Sequence, residues 1–121
     1  MILVDSSVWI QHFKRDSTSL RHGLENEEIL IHPLILGELS LGNYKNRIEI
    51  LDLLFFLPQV VVASSEEVFT LVENKKLYGK GLGWIDVNLI ASSLLTHCQI
   101  WSYDKTLIVE AKRLKLATLS L

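Results

Sequence analysis

Short apolar runs alternate with longer segments of mixed polarity along the whole chain. The short runs are typical of buried strands, because parallel strands covered on both faces are apolar throughout. They predict strands at residues 1–4, 28–32, 60–63, 99–102 and 117–121. The segments between them predict a first helix that carries Val8, Trp9 and Phe13, and further helices at 33–41, 48–57, 64–77, 84–97 and 104–115.

Residues that cap or interrupt helices support these bounds. Ser6 and Ser7 are candidate N-caps of the first helix, because their hydroxyls can accept from free amides of the first turn. Ser64 and Glu67 have the spacing of a capping box. The three glycines at residues 79–83 predict a flexible loop ahead of the helix at 84–97.

The alternation of strand and helix predicts one α/β domain over residues 1–121. Parallel strands need long crossover connections, and helices supply them here. A length of 121 residues suits a single domain, since domains cluster near roughly 100 to 150 residues. We therefore expect an open, mostly parallel sheet with helices on both faces.

Four acidic residues are expected to meet at one edge of this sheet. Asp5 and Asp104 directly follow predicted strands, whereas Glu38 and Asp86 lie in early turns of predicted helices. In open α/β folds, ligands bind beyond the carboxyl ends of the strands. Asp5, Glu38, Asp86 and Asp104 are accordingly the candidate catalytic residues.

Four carboxylates in one cleft need a partner that offsets their repulsion. At an effective dielectric constant near 20, two charges about 4 Å apart repel by up to roughly 4 kcal/mol. Divalent cations can offset that energy, and a set of oxygen ligands favours Mg²⁺ or Mn²⁺ over zinc. Such cations catalyse phosphodiester hydrolysis by polarising a phosphoryl oxygen and activating water. We expect the four acids to be metal ligands in a nuclease, with Ser7 and Ser102 positioning substrate or water.

Composition and charge bear on the partners and the cellular location that we expect for the protein. A net charge of −2 neither favours nor excludes nucleic acid, since bound cations would leave a small positive remainder. Cys98 is the only cysteine, which excludes an intramolecular disulfide and suits a reducing compartment. No apolar run is long enough to span a bilayer, so we expect a cytoplasmic protein. A mean hydropathy of +0.28 predicts exposed apolar side chains and hence self-association or a protein ligand.

Aromatic and basic side chains offer further contacts for a nucleic acid. Aromatic rings can stack on bases, although the helix and strand positions of these residues favour core or interface packing. The candidate rings are Trp9, Phe13, Trp84 and Trp101. The candidate phosphate contacts are Lys14, Arg15, Lys75, Lys76 and Lys80.

Four segments resemble PIN-domain ribonucleases, particularly the VapC-type toxins of bacterial toxin–antitoxin pairs. They occur in the family's order and cover nearly the whole chain. The segments are Ile2–Ile10, Pro33–Leu39, Gly81–Asp86 with Ile90–Ser92, and Ile100–Lys105. Ser102 departs from the pattern, since threonine is common at that position in the family.

The resemblance implies a PIN fold and endonucleolytic cleavage of RNA with Mg²⁺ or Mn²⁺. It assigns the acidic quartet of the family to Asp5, Glu38, Asp86 and Asp104. It also implies a homodimer and a cognate VapB-like antitoxin that binds near the first helices and blocks the site.

Other α/β proteins of similar length fit the residues less well. A phosphoacceptor receiver domain needs an acidic pair after the first strand and an aspartate after the middle strand, where this chain has Ser64. A haloacid-dehalogenase-like phosphatase needs a second aspartate at the position of Ser7. A PIN-like protein without catalysis, which only binds RNA or an antitoxin, remains the main alternative.

Overall fold

A computed structural model describes residues 1–119 and has the alternation that the sequence predicts. The four strands are β1 (Ile2–Val4), β2 (Ile29–Leu30), β3 (Gln99–Trp101) and β4 (Thr118–Leu119). The seven helices are α1 (Ser6–Lys14), α2 (Thr18–Glu25), α3 (Pro33–Ser40), α4 (Arg47–Phe55), α5 (Ser65–Lys75), α6 (Trp84–Thr96) and α7 (Lys105–Arg113). Of the last predicted strand, residues 120 and 121 lie outside the described part.

The strands form one parallel sheet in the order β2-β1-β3-β4. In the two central strands, Leu3, Val4 and Ile100 are fully covered. The chain leaves β1 toward one edge of the sheet and leaves β3 toward the other. Because such crossovers are right-handed, α1 and α7 lie on opposite faces, which confirms the predicted fold class.

This reversal of direction places a crevice between the carboxyl ends of β1 and β3. Val4 pairs with Trp101, so the next residues, Asp5 and Ser102, lie side by side just beyond the sheet. Open α/β sheets bind their ligands at such a switch point. The fold therefore provides a site where the sequence predicted one.

The strand predicted at residues 60–63 is not part of the sheet. The residues before and at its start instead meet the residue after β2, through a bridge between Ile31 and Gln59 and a hydrogen bond from the Val60 amide to the Ile31 carbonyl. Beyond it, the amide of Val61 donates to the Thr96 hydroxyl and the amide of Ala63 donates to the Ser92 hydroxyl. Side chains of α6 thus take the hydrogen bonds that a neighbouring strand would have supplied.

The helix α2 is an element that the apolar pattern did not predict. It begins at the N-cap Ser17, whose hydroxyl accepts from the Leu20 amide, and it buries only Leu20 and Gly23. A side chain at Gly23 would lie 2.7 Å from Ile29 Cδ1, so glycine permits α2 to pack closely on β2. The segment is polar on average, with Leu20 and Leu24 as its only large apolar residues, so it was not predicted as a packed element.

The start of α3 depends on a buried histidine. His32 is 1% exposed, and its Nδ1 accepts from the Leu34 amide. The neutral ring therefore carries its proton on Nε2, 3.1 Å from the Ser92 hydroxyl, and donates to it. Burial lowers the pKa of His32. The network joins α3, α6 and the segment that ends at Ala63.

The contribution of His32 to stability should depend on pH. Because its folded pKa lies below the ordinary value of 6.5, the unfolded chain binds the proton more readily. The stabilisation is complete above about pH 6.5 to 7 and declines as the pH falls toward the folded pKa. His32→Asn keeps an N-cap acceptor for Leu34 but loses the bond to Ser92.

We expect His32→Asn to lower the free energy of unfolding at pH 8 by about 1 to 3 kcal/mol. As the pH falls from 8 to 5, the difference in the free energy of unfolding between wild type and variant should become smaller. Urea denaturation followed by circular dichroism at each pH measures both proteins. A gap that stays constant over this range would contradict the neutral buried histidine.

Within the described residues, no helix combines the length and the apolarity needed for a bilayer span.

Candidate active site

Asp5 occupies the centre of the crevice between β1 and β3. It is the N-cap of α1, where the sequence had suggested Ser6 or Ser7, because its Oδ1 accepts from the Ser6 amide at 2.8 Å. Its own amide donates to the Trp101 carbonyl, which fixes the backbone to β3. Asp5 is only 6% exposed. A buried carboxylate of this kind needs hydrogen bonds or a cation.

Two serine hydroxyls hold the second oxygen of Asp5. Ser102 Oγ donates to Asp5 Oδ2 at 2.6 Å, and Ser7 Oγ donates to the same oxygen at 2.9 Å. Ser102 is fully buried, and its hydroxyl also accepts from the Asp104 amide. The Ser7 hydroxyl accepts from the Tyr103 amide. Both serines thus orient the carboxylate of Asp5, and their direct contact with water or substrate stays a prediction.

Asp104 lies directly beyond the end of β3 and caps α7. Its Oδ1 accepts from the Leu107 amide at 3.2 Å, and the side chain is exposed. The bond from its own amide to Ser102 joins it to the Asp5 cluster. One carboxylate oxygen is therefore occupied by the cap, and the other has no bond within residues 1–119.

Asp86 lies in the first turn of α6 and is half-buried. Its Oδ2 accepts from the Gly83 amide at 2.8 Å, which closes the glycine-containing loop onto the helix. Burial raises the pKa of Asp86, the Gly83 hydrogen bond lowers it, and the charges of Asp104 and Asp5 raise it further. Asp86 therefore faces two other members of the quartet.

Glu38 lies in the second turn of α3, opposite the start of α1. Burial raises the pKa of Glu38, the Ser6 side chain lowers it, and the charges of Asp5 and Asp86 raise it further. The Ser6 side chain thus influences the carboxyl of Glu38, a role that the sequence did not predict. Its only signal in the sequence was the position next to Asp5.

The four carboxylates thus form one electrostatic cluster, linked through Asp5 and Asp86. Asp5 raises the pKa of both Glu38 and Asp86, and Asp104 raises that of Asp86. No basic side chain contributes to the raised pKa of Glu38 or of Asp86. An anionic cluster without basic partners favours any bound cation.

The donor set fits a hard divalent cation in its chemistry. The oxygens come from carboxylates, and histidine and cysteine take no part, which suits Mg²⁺ or Mn²⁺. Within residues 1–119, no three acidic, histidine or cysteine side chains are already close enough to surround a single metal position. A cation held by three or more of these side chains would therefore require them to move closer together.

The chain is similar to proteins of a known family. The family model for the PIN domain matches residues 2–113. Ribonuclease VapC32 of Mycobacterium tuberculosis, in strains CDC 1551 and H37Rv, is 44% identical over 108 residues. The aligned part covers 88% of this chain and 87% of that protein.

Solved structures show the same fold at low sequence identity. VapBC-1 from nontypeable Haemophilus influenzae is 16% identical, with a TM-score of 0.70 over 98% of this chain and 96% of that chain. A protein from Pyrobaculum aerophilum is also 16% identical, with a TM-score of 0.63 over 98% of this chain and 83% of that chain. At this identity, the likeness concerns the fold alone.

Proposed function

Because the chain belongs to the PIN-domain family, we propose that it is a metal-dependent endoribonuclease, the toxin of a toxin–antitoxin pair. Its substrate is RNA, its cofactor is Mg²⁺ or Mn²⁺, and its place of action is the cytoplasm. The assignment is supported by its 44% identity to a Mycobacterium tuberculosis ribonuclease.

The observation that carries this proposal is the cluster around Asp5. Glu38 and Asp86 both have a raised pKa partly because Asp5 is charged. A protein does not gain stability from gathering carboxylates that repel, so the cluster indicates a ligand that compensates for them. Acids that served only as helix caps would have no reason to lie within electrostatic reach of one another.

The surroundings of Asp5 give it a different part in this proposal from Glu38 and Asp104. Asp5 would be the rigid ligand, since three hydrogen bonds from Ser6, Ser7 and Ser102 fix both of its oxygens. The exposed carboxylates of Glu38 and Asp104 lie toward the solvent side, where a phosphodiester can approach. A bound divalent cation supplies charge to stabilise the phosphoryl group and lowers the pKa of a water molecule.

Cleavage of RNA by the purified chain tests the proposed function. The protein, freed of any bound antitoxin, is incubated with total cellular RNA in the presence of Mg²⁺, Mn²⁺ or EDTA. We expect fragments with either cation, none with EDTA, and none with the Asp86→Asn variant. Equal cleavage by wild type and Asp86→Asn would reveal a contaminating nuclease and contradict the assignment.

The chain also has a surface for the proposed antitoxin. A groove of about 510 Å³ lies between α1, α2 and α4, and its apolar lining includes Phe13, Ile50 and Leu53. Leu53 is 69% exposed, as the mean hydropathy led us to expect for some apolar side chains. The Haemophilus influenzae protein of the same fold was solved as VapBC-1. We place the antitoxin in this groove and propose a homodimer for the free toxin.

A catalytically silent module that only binds RNA or an antitoxin is the second candidate. It shares the fold and the groove but needs no acidic cluster. This candidate would be favoured if wild type and Asp86→Asn bound RNA with equal affinity and neither cleaved it under any metal condition.

A further inference from the structure

Two exposed aromatic rings lie in contact beside the acidic cluster. Phe69 of α5 and Trp84 of α6 have ring centroids 5.0 Å apart at an interplanar angle of 40°. Phe69 is 61% exposed and Trp84 is 44% exposed. We call this pair the aromatic platform. Exposing two large rings together leaves apolar surface in water that folding alone does not explain.

Only Trp84 of the platform was among the aromatic candidates from the sequence. Trp9 and Trp101 are each only 2% exposed and belong to the core. Phe13 stacks on Tyr44 with ring centroids 4.6 Å apart. Of the four candidate rings, Trp84 alone presents a large surface to solvent.

The position of the platform ties it to the proposed active site. Trp84 is the first residue of α6, and Asp86 follows in the same turn. The loop before α6 passes close to α7, since a side chain at Gly81 would lie 3.8 Å from Thr106 Cγ2. The first turn of α6 thus carries both Trp84 of the platform and Asp86 of the acidic cluster, and the loop before it reaches the start of α7, where Asp104 lies.

Two basic residues lie in these elements. Lys80 lies in the loop, and Lys105 follows Asp104 at the start of α7. Both are exposed, and neither forms an ion pair within residues 1–119. Lysines beside exposed aromatic rings are the usual composition of a path for single-stranded nucleic acid.

We propose that the platform of Phe69 and Trp84 stacks on an unpaired base of the RNA substrate, next to the bond that is cleaved. This inference rests on the proposed function and adds a positioning role that the acids cannot supply. Stacking on an aromatic ring accepts any base, whereas carboxylates repel the phosphate backbone. The platform thus holds the strand in place while Lys80 and Lys105 neutralise adjacent phosphates.

Charge and position favour RNA over a protein as the occupant. Trp84 lies in the same helical turn as Asp86, one of the carboxylates proposed to act on a phosphodiester, and a partner protein seated there would obstruct access to it. The larger apolar groove lined by Leu53 lies between other helices and suits a protein partner better.

Cleavage by three variants tests the platform. We expect Trp84→Ala to lower kcat/KM for RNA about 5- to 30-fold, the lower part of the range for loss of one stacked base, because the ring is partly exposed. Trp84→Phe keeps an aromatic face and should lose at most about 3-fold. The control is Phe56→Ala, which removes another ring, 87% exposed, and should change nothing.

Fluorescence gives a second readout that does not depend on catalysis. Trp84 is the exposed tryptophan, so its emission reports contact with a ligand. In an Asp5→Asn background, a mixed-sequence octaribonucleotide should quench this emission. A strand of the same length made of abasic ribose phosphates should not, because it lacks the bases that stack.

Several results would overturn the proposal. One is that Trp84→Ala cleaves RNA as wild type does, with its metal dependence intact. Another is that the abasic strand quenches the emission as strongly as the octaribonucleotide. A third is that light scattering shows a dimer for wild type and a monomer for Trp84→Ala. The last result would make the platform an interface between copies. Failure of the wild type to cleave RNA with any metal would instead remove the proposed function, and the platform's role with it.

Discussion

Replacing Asp5 with asparagine should reduce RNA cleavage more than about 100-fold while leaving the fold intact. Changes in groups that merely support a metal ligand cost roughly 10- to 100-fold, so loss of a central ligand should exceed that range. Asn is as good an N-cap as Asp. The Ser7 and Ser102 hydroxyls can reverse their bonds to accept from an amide.

The matched control for Asp5→Asn is Asp52→Asn, which removes an equal charge from an exposed position on α4. Initial rates of RNA cleavage and thermal unfolding should be measured for both variants. Asp52→Asn should behave as wild type in both. Full metal-dependent activity in Asp5→Asn would show that the centre of the cluster lies elsewhere.

Removal of the Ser102 hydroxyl should have the next largest effect on cleavage. Ser102→Ala removes one of the two hydroxyls that hold Asp5 Oδ2 and leaves the Asp104 amide without its acceptor. Two members of the quartet lose their orientation at once, so we expect kcat/KM to fall about 10- to 100-fold. Steady-state kinetics on a defined RNA fragment measures this loss.

Ser93→Ala and Ser102→Thr distinguish orientation from loss of packing. Ser93 is as buried as Ser102, but its hydroxyl has no hydrogen-bond partner in the described part of the chain. Its replacement should leave cleavage unchanged. Ser102→Thr retains the hydroxyl and should retain more activity than Ser102→Ala. An equal loss in both Ser102 variants would argue that packing, and not the hydrogen bonds, is important.

The sequence predicted those parts of the fold that depend on neighbours along the chain. The strands at both sides of the crevice and the capping box of Ser64 with Glu67 follow from local pattern, and the structure has them. Convergence of the four acids on one edge followed from the rule for parallel sheets. The electrostatic links of Asp5 with Glu38 and Asp86 agree with that expectation.

Features decided by distant contacts could not be predicted in this way. The segment at 60–63 is apolar enough for a strand, yet its amides bond to Ser92 and Thr96 of a helix about thirty residues later. The serine roles were similarly hidden, because Ser102 reaches Asp5 across β3 and β1. The platform also requires the packing of α5 against α6. The metal role of the quartet stays a prediction.

Calorimetric titration of Mn²⁺ into the RNA-free protein tests most directly whether the four carboxylates form one metal site. The variants are Glu38→Gln, Asp86→Asn and Asp104→Asn, with Asp52→Asn as the control. We predict that each quartet variant binds Mn²⁺ at least about 10-fold more weakly than wild type, and that the control does not. Equal affinity in wild type and all three variants would contradict the account.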